Sequence, residues 1–154
     1  MKFAEYKNCN ESTGLLFWQS YMLWQRKIKQ VLQKFNLTHT QFVILAVTEE
    51  LSENSVFITQ KKISDFSNID VMTVSSTTKL LEKKGLILRQ PNEKDSRAHS
   101  ISNTEKGQAI LKKAVIQVEN VDDAFFFSND GDNTQFREFL SKLLIKNSKQ
   151  NIDI

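Results

Sequence analysis

The chain has 154 residues, 40% of them hydrophobic and 25% charged, with a formal net charge of +3 at pH 7. This length can bury a core, so we expect one domain or two small intertwined ones. No apolar run approaches the roughly 18 residues of a membrane span, and the start of the chain lacks the apolar segment of a signal peptide, which favours the cytoplasm. Few Gly and Pro residues favour a mainly helical fold, and the single cysteine excludes an internal disulfide.

The first predicted element is a long helix over residues 12–35. Tyr21, Ile28 and Phe35 repeat every seven residues within a wider apolar stripe, a pattern typical of a helix that packs against a partner helix. Trp24 lies off this stripe, which implies a second contact surface. A second helix, predicted over residues 40–51, has apolar side chains on most of its circumference.

After a polar loop, Val56-Phe57-Ile58 is expected to form a short edge strand. The next helix has Thr59 as its N-cap and Ile63 and Phe66 as its apolar positions, and Ser67-Asn68 forms the following turn. Two short helices joined by about four residues are the helix-turn-helix arrangement, which presents its second helix to the major groove of DNA.

The second helix of this pair begins at Asp70, a good N-cap, and ends before Gly85. Val74, Thr78 and Leu81 share one inward stripe. The outer face then carries hydroxyls and lysines, which can reach base edges and phosphates; an ordinary solvated face is the alternative. The residues predicted to contact DNA on this helix are Thr73, Ser75, Ser76, Thr77, Lys79 and Lys83.

A β-hairpin is predicted next, from Leu86-Ile87-Leu88 to Ser100-Ile101-Ser102, with a charged tip. Lys94, Asp95 and Arg97 lie in this tip and are predicted to contact DNA. Asp95 and Arg97 can project to one side, where the carboxylate orients the guanidinium for a narrow minor groove. An ordinary surface ion pair is the alternative.

The last two predicted helices begin after Asn103-Thr104 and at Thr134, and the second has Phe136, Phe139, Leu140, Leu143 and Leu144 inward. The acidic turn between them lacks the spacing of a calcium loop, so we expect no metal there. Residues 59–113 hold eleven Lys/Arg against six Asp/Glu, so the basic charge is concentrated where a nucleic-acid reader requires it.

These residues carry a family resemblance. The run T-V-S-x-x-x-x-L-L-E-K-K-G-L-I-x-R, the later D-x-R and S-x-T-E-K-G, and the segment LTHTQFVILAVTEEL at residues 37–51 resemble the multiple-antibiotic-resistance regulator (MarR) family of bacterial transcription factors. The resemblance implies a homodimeric winged helix-turn-helix regulator, often controlled by a small ligand or by oxidation. It makes residues 73–79 the major-groove reader and Arg97 the minor-groove arginine, with Asp95 as its positioning residue.

The chain departs from the family pattern at three positions. Ser76 stands where many relatives carry Arg, so the guanine contact of such an Arg is absent and the operator cannot be inferred from relatives. Asn92 and Ser96 replace a frequent Asp and Arg, which makes the tip less charged than usual.

The predicted organisation is mainly α with a small antiparallel β-wing. Residues 12–35 and 104–149 form dimerisation helices, residues 37–103 form the winged helix-turn-helix domain, and residues 1–11 and 150–154 are flexible ends. The dimerisation helices have more apolar surface than one subunit can cover. We therefore expect an obligate interface of about 2,000 Å² or more and an inverted-repeat operator with half-sites ~34 Å apart.

A pocket for a small effector is predicted from the resemblance and the aromatic excess, lined by Trp18, Tyr21 and Phe42, with Arg26 as an anion partner; ordinary core packing is the alternative. Cys9 precedes the first helix with one nearby lysine, so an ordinary thiol is preferred over an oxidant sensor.

No acid–base pair, phosphate loop or zinc-ligand spacing is evident, so we expect no enzymatic activity, no cofactor and no metal. The predicted function is a sequence-specific DNA-binding transcriptional regulator, preferred as a repressor, with release by a small ligand as a further expectation. The alternative is a winged-helix protein-interaction module that no longer binds DNA.

Overall fold

The computed structural model describes residues 9–91, 99–127 and 133–148. The chain divides into two compact units, residues 1–119 and 120–154. The described part is mainly helical with one two-stranded antiparallel sheet, which confirms the predicted fold class. In chain order the elements are α1 (Thr13–Leu32), α2 (His39–Ser52), α3 (Gln60–Ser67), α4 (Val71–Lys83), β1 (Ile87–Pro91), β2 (His99–Asn103), α5 (Glu105–Phe126) and α6 (Thr134–Ser148).

Helix α1 begins at the predicted cap, where the Ser12 hydroxyl accepts the Leu15 N–H at 3.3 Å. A 3-10 turn, Gln33–Phe35, continues the helix, and Asn36 ends it with a left-handed φ of 54°. Asn tolerates this conformation better than most residues, so it redirects the chain toward α2. Another 3-10 turn, Cys9–Glu11, precedes α1 where a flexible end was expected.

Helix α2 is the centre of the first unit, and it contacts α1, α3, α4 and β2. Its start is fixed by a reciprocal capping box: the Gln41 N–H donates to the Thr38 hydroxyl at 3.1 Å, and the Thr38 N–H donates to the Gln41 side chain at 3.2 Å. Its apolar circumference is buried as predicted. The buried α2 side chains are Gln41, Phe42, Ile44, Leu45, Val47 and Thr48.

Strands β1 and β2 pair antiparallel, and Pro91 lies opposite His99 at the end nearest the hairpin tip. The expected edge strand at residues 56–58 is not formed. Only the Ile58 carbonyl reaches the sheet, where it accepts the Ile101 N–H at 2.8 Å. One such bond anchors the loop before α3 to β2 without extending the sheet.

Two glycines shape the junction of α4, β1 and α5. Gly85 follows α4 with a left-handed φ of 72°, which ends the helix. At the start of α5, a Cβ on Gly107 would overlap the Leu86 carbonyl oxygen. The Thr104 hydroxyl donates to the Gly85 carbonyl at 2.7 Å and accepts the Gly107 N–H at 3.0 Å. The backbone of α5 therefore packs directly against the chain that leaves α4.

Apolar side chains remain exposed in both units. In the second unit the ring of Phe126 stacks on that of Phe136 with centroids 5.4 Å apart, but no residue of α6 is buried. In the single chain the predicted apolar face of α6, which was expected to pack against a second subunit, is therefore exposed. The exposed apolar residues are Leu15, Leu16, Phe17, Trp18, Tyr21 and Leu23 on α1, and Phe136, Phe139, Leu143, Leu144 and Ile145 on α6.

Candidate DNA interface

Helices α3 and α4 are joined by three residues, and hydrogen bonds fix both ends of α3. Thr59 caps α3 by accepting the Lys62 N–H at 3.2 Å, as predicted. At the other end Asn68 adopts a left-handed φ of 59° and the Ser64 hydroxyl donates to the Ile69 carbonyl at 2.6 Å. These contacts fix the direction in which α4 leaves the turn.

The prediction that Phe66 packs inward is wrong, because its side chain is exposed. Ile63 is the buried residue of α3. At the C-terminal end of this helix the half-buried positions are Ser64 and Ser67. The Ser64 hydroxyl donates to the Ile69 carbonyl in the turn, and the Ser67 hydroxyl donates to the Ile63 carbonyl within the helix. The inward side at that end is therefore polar, and Phe66 faces solvent.

Asp70 fixes the first turn of α4. Its carboxylate accepts the Thr73 N–H at 2.8 Å and the Thr73 hydroxyl at 2.6 Å. The hydroxyl bond, followed by the backbone bond, lowers the pKa of Asp70 from its ordinary value, because both stabilise the charged carboxylate. The N-terminal end of the proposed reading helix is thus held rigid by an ionised cap.

The inward stripe of α4 is confirmed, because Val74, Thr78 and Leu81 are all fully buried. The prediction that Thr77 lies on the outer face is wrong, because only 8% of this residue is exposed. Thr77 lies three residues after Val74 and four before Leu81, so it falls on the same side of the helix. Thr77 therefore contributes little to the surface of the helix.

Ser76, Lys79 and Lys83 lie on the outer face and are exposed, and Thr73 and Ser75 are half-exposed beside them. Among the described residues neither lysine forms a salt bridge. Glu82, the one acid on the helix, is paired with Arg89 of β1 at 2.7 Å. The outer face therefore carries positive charge that no carboxylate of the described residues neutralises, and an anionic duplex could compete for it without breaking one of the described ion pairs.

Two exposed residues at the start of α4 were not among the predicted DNA contacts. Val71 and Met72 open α4, and both are exposed, Met72 to 83%. A helical wheel contained the signal, because Met72 lies about 160° around the helix from the buried Val74. The predicted DNA contacts on α4 were hydroxyl and lysine side chains, so they did not include these two apolar residues.

The three residues predicted at the tip of the hairpin, Lys94, Asp95 and Arg97, lie outside the described residues. Their role in DNA binding stays a prediction. In the described part of the hairpin, β1 pairs with β2 just after the end of α4. The ion pair between Arg89 and Glu82 connects β1 to that helix.

The four residues predicted to form an effector pocket differ in burial in the single chain. Phe42 is buried in the core, whereas Trp18 is 59% exposed and Arg26 lies on the surface. Tyr21 contacts the ring of Trp24 at 6.1 Å. A cleft of about 460 Å³ lies instead at the elbow between α1 and α2, lined by Gln25, Lys29, Gln33, Asn36, Leu37, Thr38, His39, Thr40 and Lys84.

Lys84 closes one side of this cleft from the end of α4. Its ammonium donates to the Asn36 carbonyl at 2.6 Å and to the Gln41 side-chain oxygen at 2.9 Å. Both acceptors are neutral, and the lining residues include a second lysine, Lys29, and no carboxylate. The elbow of α1 and α2 is thereby tied to the C-terminal end of α4.

Within the described residues, no three His, Cys, Asp or Glu side chains are grouped so as to hold a metal ion, and no helix is long and apolar enough to cross a membrane. The described residues contain a short helix pair, α3 and α4, followed by a β-hairpin. The second helix of the pair has a basic outer face. These features define a winged helix-turn-helix protein whose second helix is presented for DNA.

Comparison with known proteins places this chain within that class. Residues 37–99 match the MarR family model. The chain is 40% identical over 123 residues to YdcH of Bacillus subtilis, an uncharacterized HTH-type transcriptional regulator, with 80% of this chain and 84% of YdcH covered. The chain therefore belongs to the MarR family of transcriptional regulators, which is not a family of enzymes.

Two solved structures share the fold. One is the Staphylococcus aureus MepR–DNA complex, with a TM-score of 0.76 and 23% identity over 88% of this chain and 98% of that one. The other is Bordetella bronchiseptica BpsR, whose DNA binding is regulated by 6-hydroxynicotinic acid, with a TM-score of 0.76 and 22% identity over 93% and 97%. At these identities the likeness shows a common fold.

Proposed function

We propose that this protein is a sequence-specific repressor of transcription that binds an inverted-repeat operator as a homodimer. The observation that carries the proposal is the outer face of α4, where Ser76, Lys79 and Lys83 are exposed and the only acid of the helix is paired elsewhere. Such a face fits the major groove, where lysines neutralise phosphates and short side chains reach base edges.

A second copy of the chain is the proposed cover for the exposed apolar faces of α1 and α6. Large side chains such as Phe17, Trp18 and Phe139 are more than half exposed in the single chain. Exposed apolar side chains in such number mark an interface, and removing them from water provides the free energy of association. Two-fold symmetry then presents two copies of α4 to half-sites about one DNA turn apart, ~34 Å.

Selection of bound fragments from a pool of random duplexes tests this function. We expect the enriched sequences to share one motif repeated in inverted orientation, with half-site centres about 10 base pairs apart. A pool that shows no enrichment would reject sequence-specific binding. Enrichment of a single, non-repeated motif would reject the symmetric dimer.

A small anionic ligand is the proposed release signal, and the cleft at the elbow of α1 and α2 is its proposed site. Lys29 and Lys84 supply positive charge there, and Lys84 also contacts Asn36 and Gln41, so an anion that draws it away would disturb the end of the reading helix. BpsR, of the same fold, is controlled by an aromatic acid.

Operator affinity measured across a panel of aromatic carboxylates tests the ligand proposal. We expect at least one acid to weaken binding, and Lys29→Gln to reduce its effect. Lys34→Gln is the matched control, because this exposed lysine lies outside the cleft. A ligand effect that Lys29→Gln and Lys84→Gln both leave intact would place the site elsewhere.

The winged-helix interaction module that does not bind DNA is the disfavoured alternative. A module that binds only proteins requires no basic face on α4. In the described residues, however, Lys79 and Lys83 are exposed and form no salt bridge. If Lys79→Ala and Arg97→Ala both left DNA binding unchanged, that alternative would gain support.

A further inference from the structure

The N-terminal turn of α4 presents a large apolar side chain to solvent. Met72 is 83% exposed, and it lies on the same stripe as Ser76, Lys79 and Lys83, all within an arc of about 60°. Every other member of this stripe is polar. Val71, also exposed, extends the apolar area beside Met72.

Two hydroxyls near Met72, those of Thr73 and Ser76, already donate their protons to Asp70 and to the helix backbone. The Thr73 hydroxyl donates to the Asp70 carboxylate at 2.6 Å, and the Ser76 hydroxyl donates to the Thr73 carbonyl at 3.2 Å. In these positions both hydroxyls offer lone pairs rather than protons to a partner. These two hydroxyls are therefore poorly placed to recognise acceptor atoms such as purine N7, guanine O6 or thymine O4.

Met72 lies at the N-terminal end of α4, where contacts with bases are expected. In helix-turn-helix proteins the N-terminal residues of the second helix contact base edges. Lys79 and Lys83 follow about 10 and 16 Å further along the axis, at the 1.5 Å rise of an α-helix, where they are suited to phosphates. An unbranched thioether side chain at the entering end has both the length and the flexibility to reach the groove floor.

We propose that Met72 reads the 5-methyl group of a thymine in each half-site of the operator, an inference that rests on the DNA-binding function proposed above. The thymine methyl is the only apolar group that the four base pairs present in the major groove. Burying it against Met72 removes apolar surface of both partners from water. Met72 is thus a specificity-determining residue that selects thymine without a hydrogen bond.

Replacement of thymine by deoxyuridine tests this inference, because the two bases share every hydrogen-bonding group and differ only by the methyl. Starting from the selected operator, each thymine in turn is replaced symmetrically in both half-sites, and the dissociation constant is measured for each duplex. We expect one position at which the replacement weakens binding about 3- to 5-fold per half-site, the effect of one buried methyl.

The same duplexes are then measured with Met72→Ala, which we expect to bind the thymine and deoxyuridine operators equally. Lys83→Ala is the matched control on the same stripe: it weakens binding to both duplexes but keeps their ratio. A thymine preference that survives in Met72→Ala, or no sensitive thymine at all, would overturn the inference while leaving DNA binding intact. Failure to bind any duplex would instead reject the proposed function.

Discussion

At Gly107 the absence of a side chain allows α5 to contact the backbone of Leu86. The neighbour is a carbonyl group of the main chain, which cannot rotate away as the end of a long side chain could. Thr104 bonds to Gly85 and Gly107 on either side of this contact, so the junction has little freedom to adjust.

Gly107→Ala is therefore expected to lower the free energy of unfolding by about 1–3 kcal/mol, the range for overpacking a well-filled site. Urea denaturation followed by circular dichroism measures the change. Gly14→Ala is the matched control: it also lies in a helix, but no atom lies within 4 Å of its added Cβ. We expect this control to be neutral or stabilising by up to about 1 kcal/mol. Equal effects of the two substitutions would contradict the structure.

The cap of the reading helix makes stability depend on pH. Because hydrogen bonds from Thr73 lower the pKa of Asp70 in the folded state, its carboxylate stabilises the protein above the unfolded pKa of about 3.9. This contribution is lost as the pH falls through the lower, folded pKa. Asp70→Asn keeps a capping side chain but removes the ionisable group.

We expect the wild type to be more stable than Asp70→Asn at pH 6, and the difference to shrink between pH 4 and pH 2. Urea denaturation of both proteins across this pH range measures it. Asp65→Asn is the control, because Asp65 is an exposed helix residue in an ion pair with Lys61 and caps no helix. A difference for Asp70→Asn that stays constant to pH 2 would show that Asp70 is not ionised in its cap.

Among the elements, α4 shows where sequence reasoning succeeded. Its start is set by Asp70, its end by Gly85, and its inner face by the stripe that includes Val74 and Leu81. All three features were evident from the local sequence pattern. The outer face was predicted less well. Thr77 is buried and Met72 is exposed because the width of the buried stripe depends on which neighbouring elements cover the helix.

Lys79→Ala is expected to weaken binding to specific and non-specific duplexes alike, because the proposed contact of Lys79 is a phosphate. The slope of log K against log salt concentration should fall in magnitude by about one. Fluorescence anisotropy from low to moderate salt measures the slope. Lys112→Ala, at an exposed position of α5, should leave it unchanged. A loss of affinity without a change in slope would exclude the phosphate contact.

For the whole molecule, the apolar faces of α1 and α6 predict association. Phe139 is 56% exposed on α6, among other exposed apolar residues of that helix. In the proposed dimer, Phe139→Asp places an unpaired charge in an apolar interface, which costs several kcal/mol. We expect the dimer dissociation constant to rise about 100-fold or more and operator affinity to fall with it.

Sedimentation equilibrium measures this dissociation constant, and circular dichroism checks that the variant remains folded. Val56→Asp is the control, since Val56 is fully exposed but lies in the loop before α3 rather than on α1 or α6. A dimer that persists unchanged in Phe139→Asp would exclude α6 from the interface.

The sequence alone determined where several helices start, because caps such as Ser12, Thr38 and Asp70 act through hydrogen bonds to residues three positions away. It also indicated the family, through motifs that are continuous in the chain. Only the tertiary structure decided that Thr77 is buried, that Phe66 is exposed and that Lys84 closes a cleft. Burial and cleft formation depend on elements that are distant along the chain, and no local pattern encodes where those elements pack.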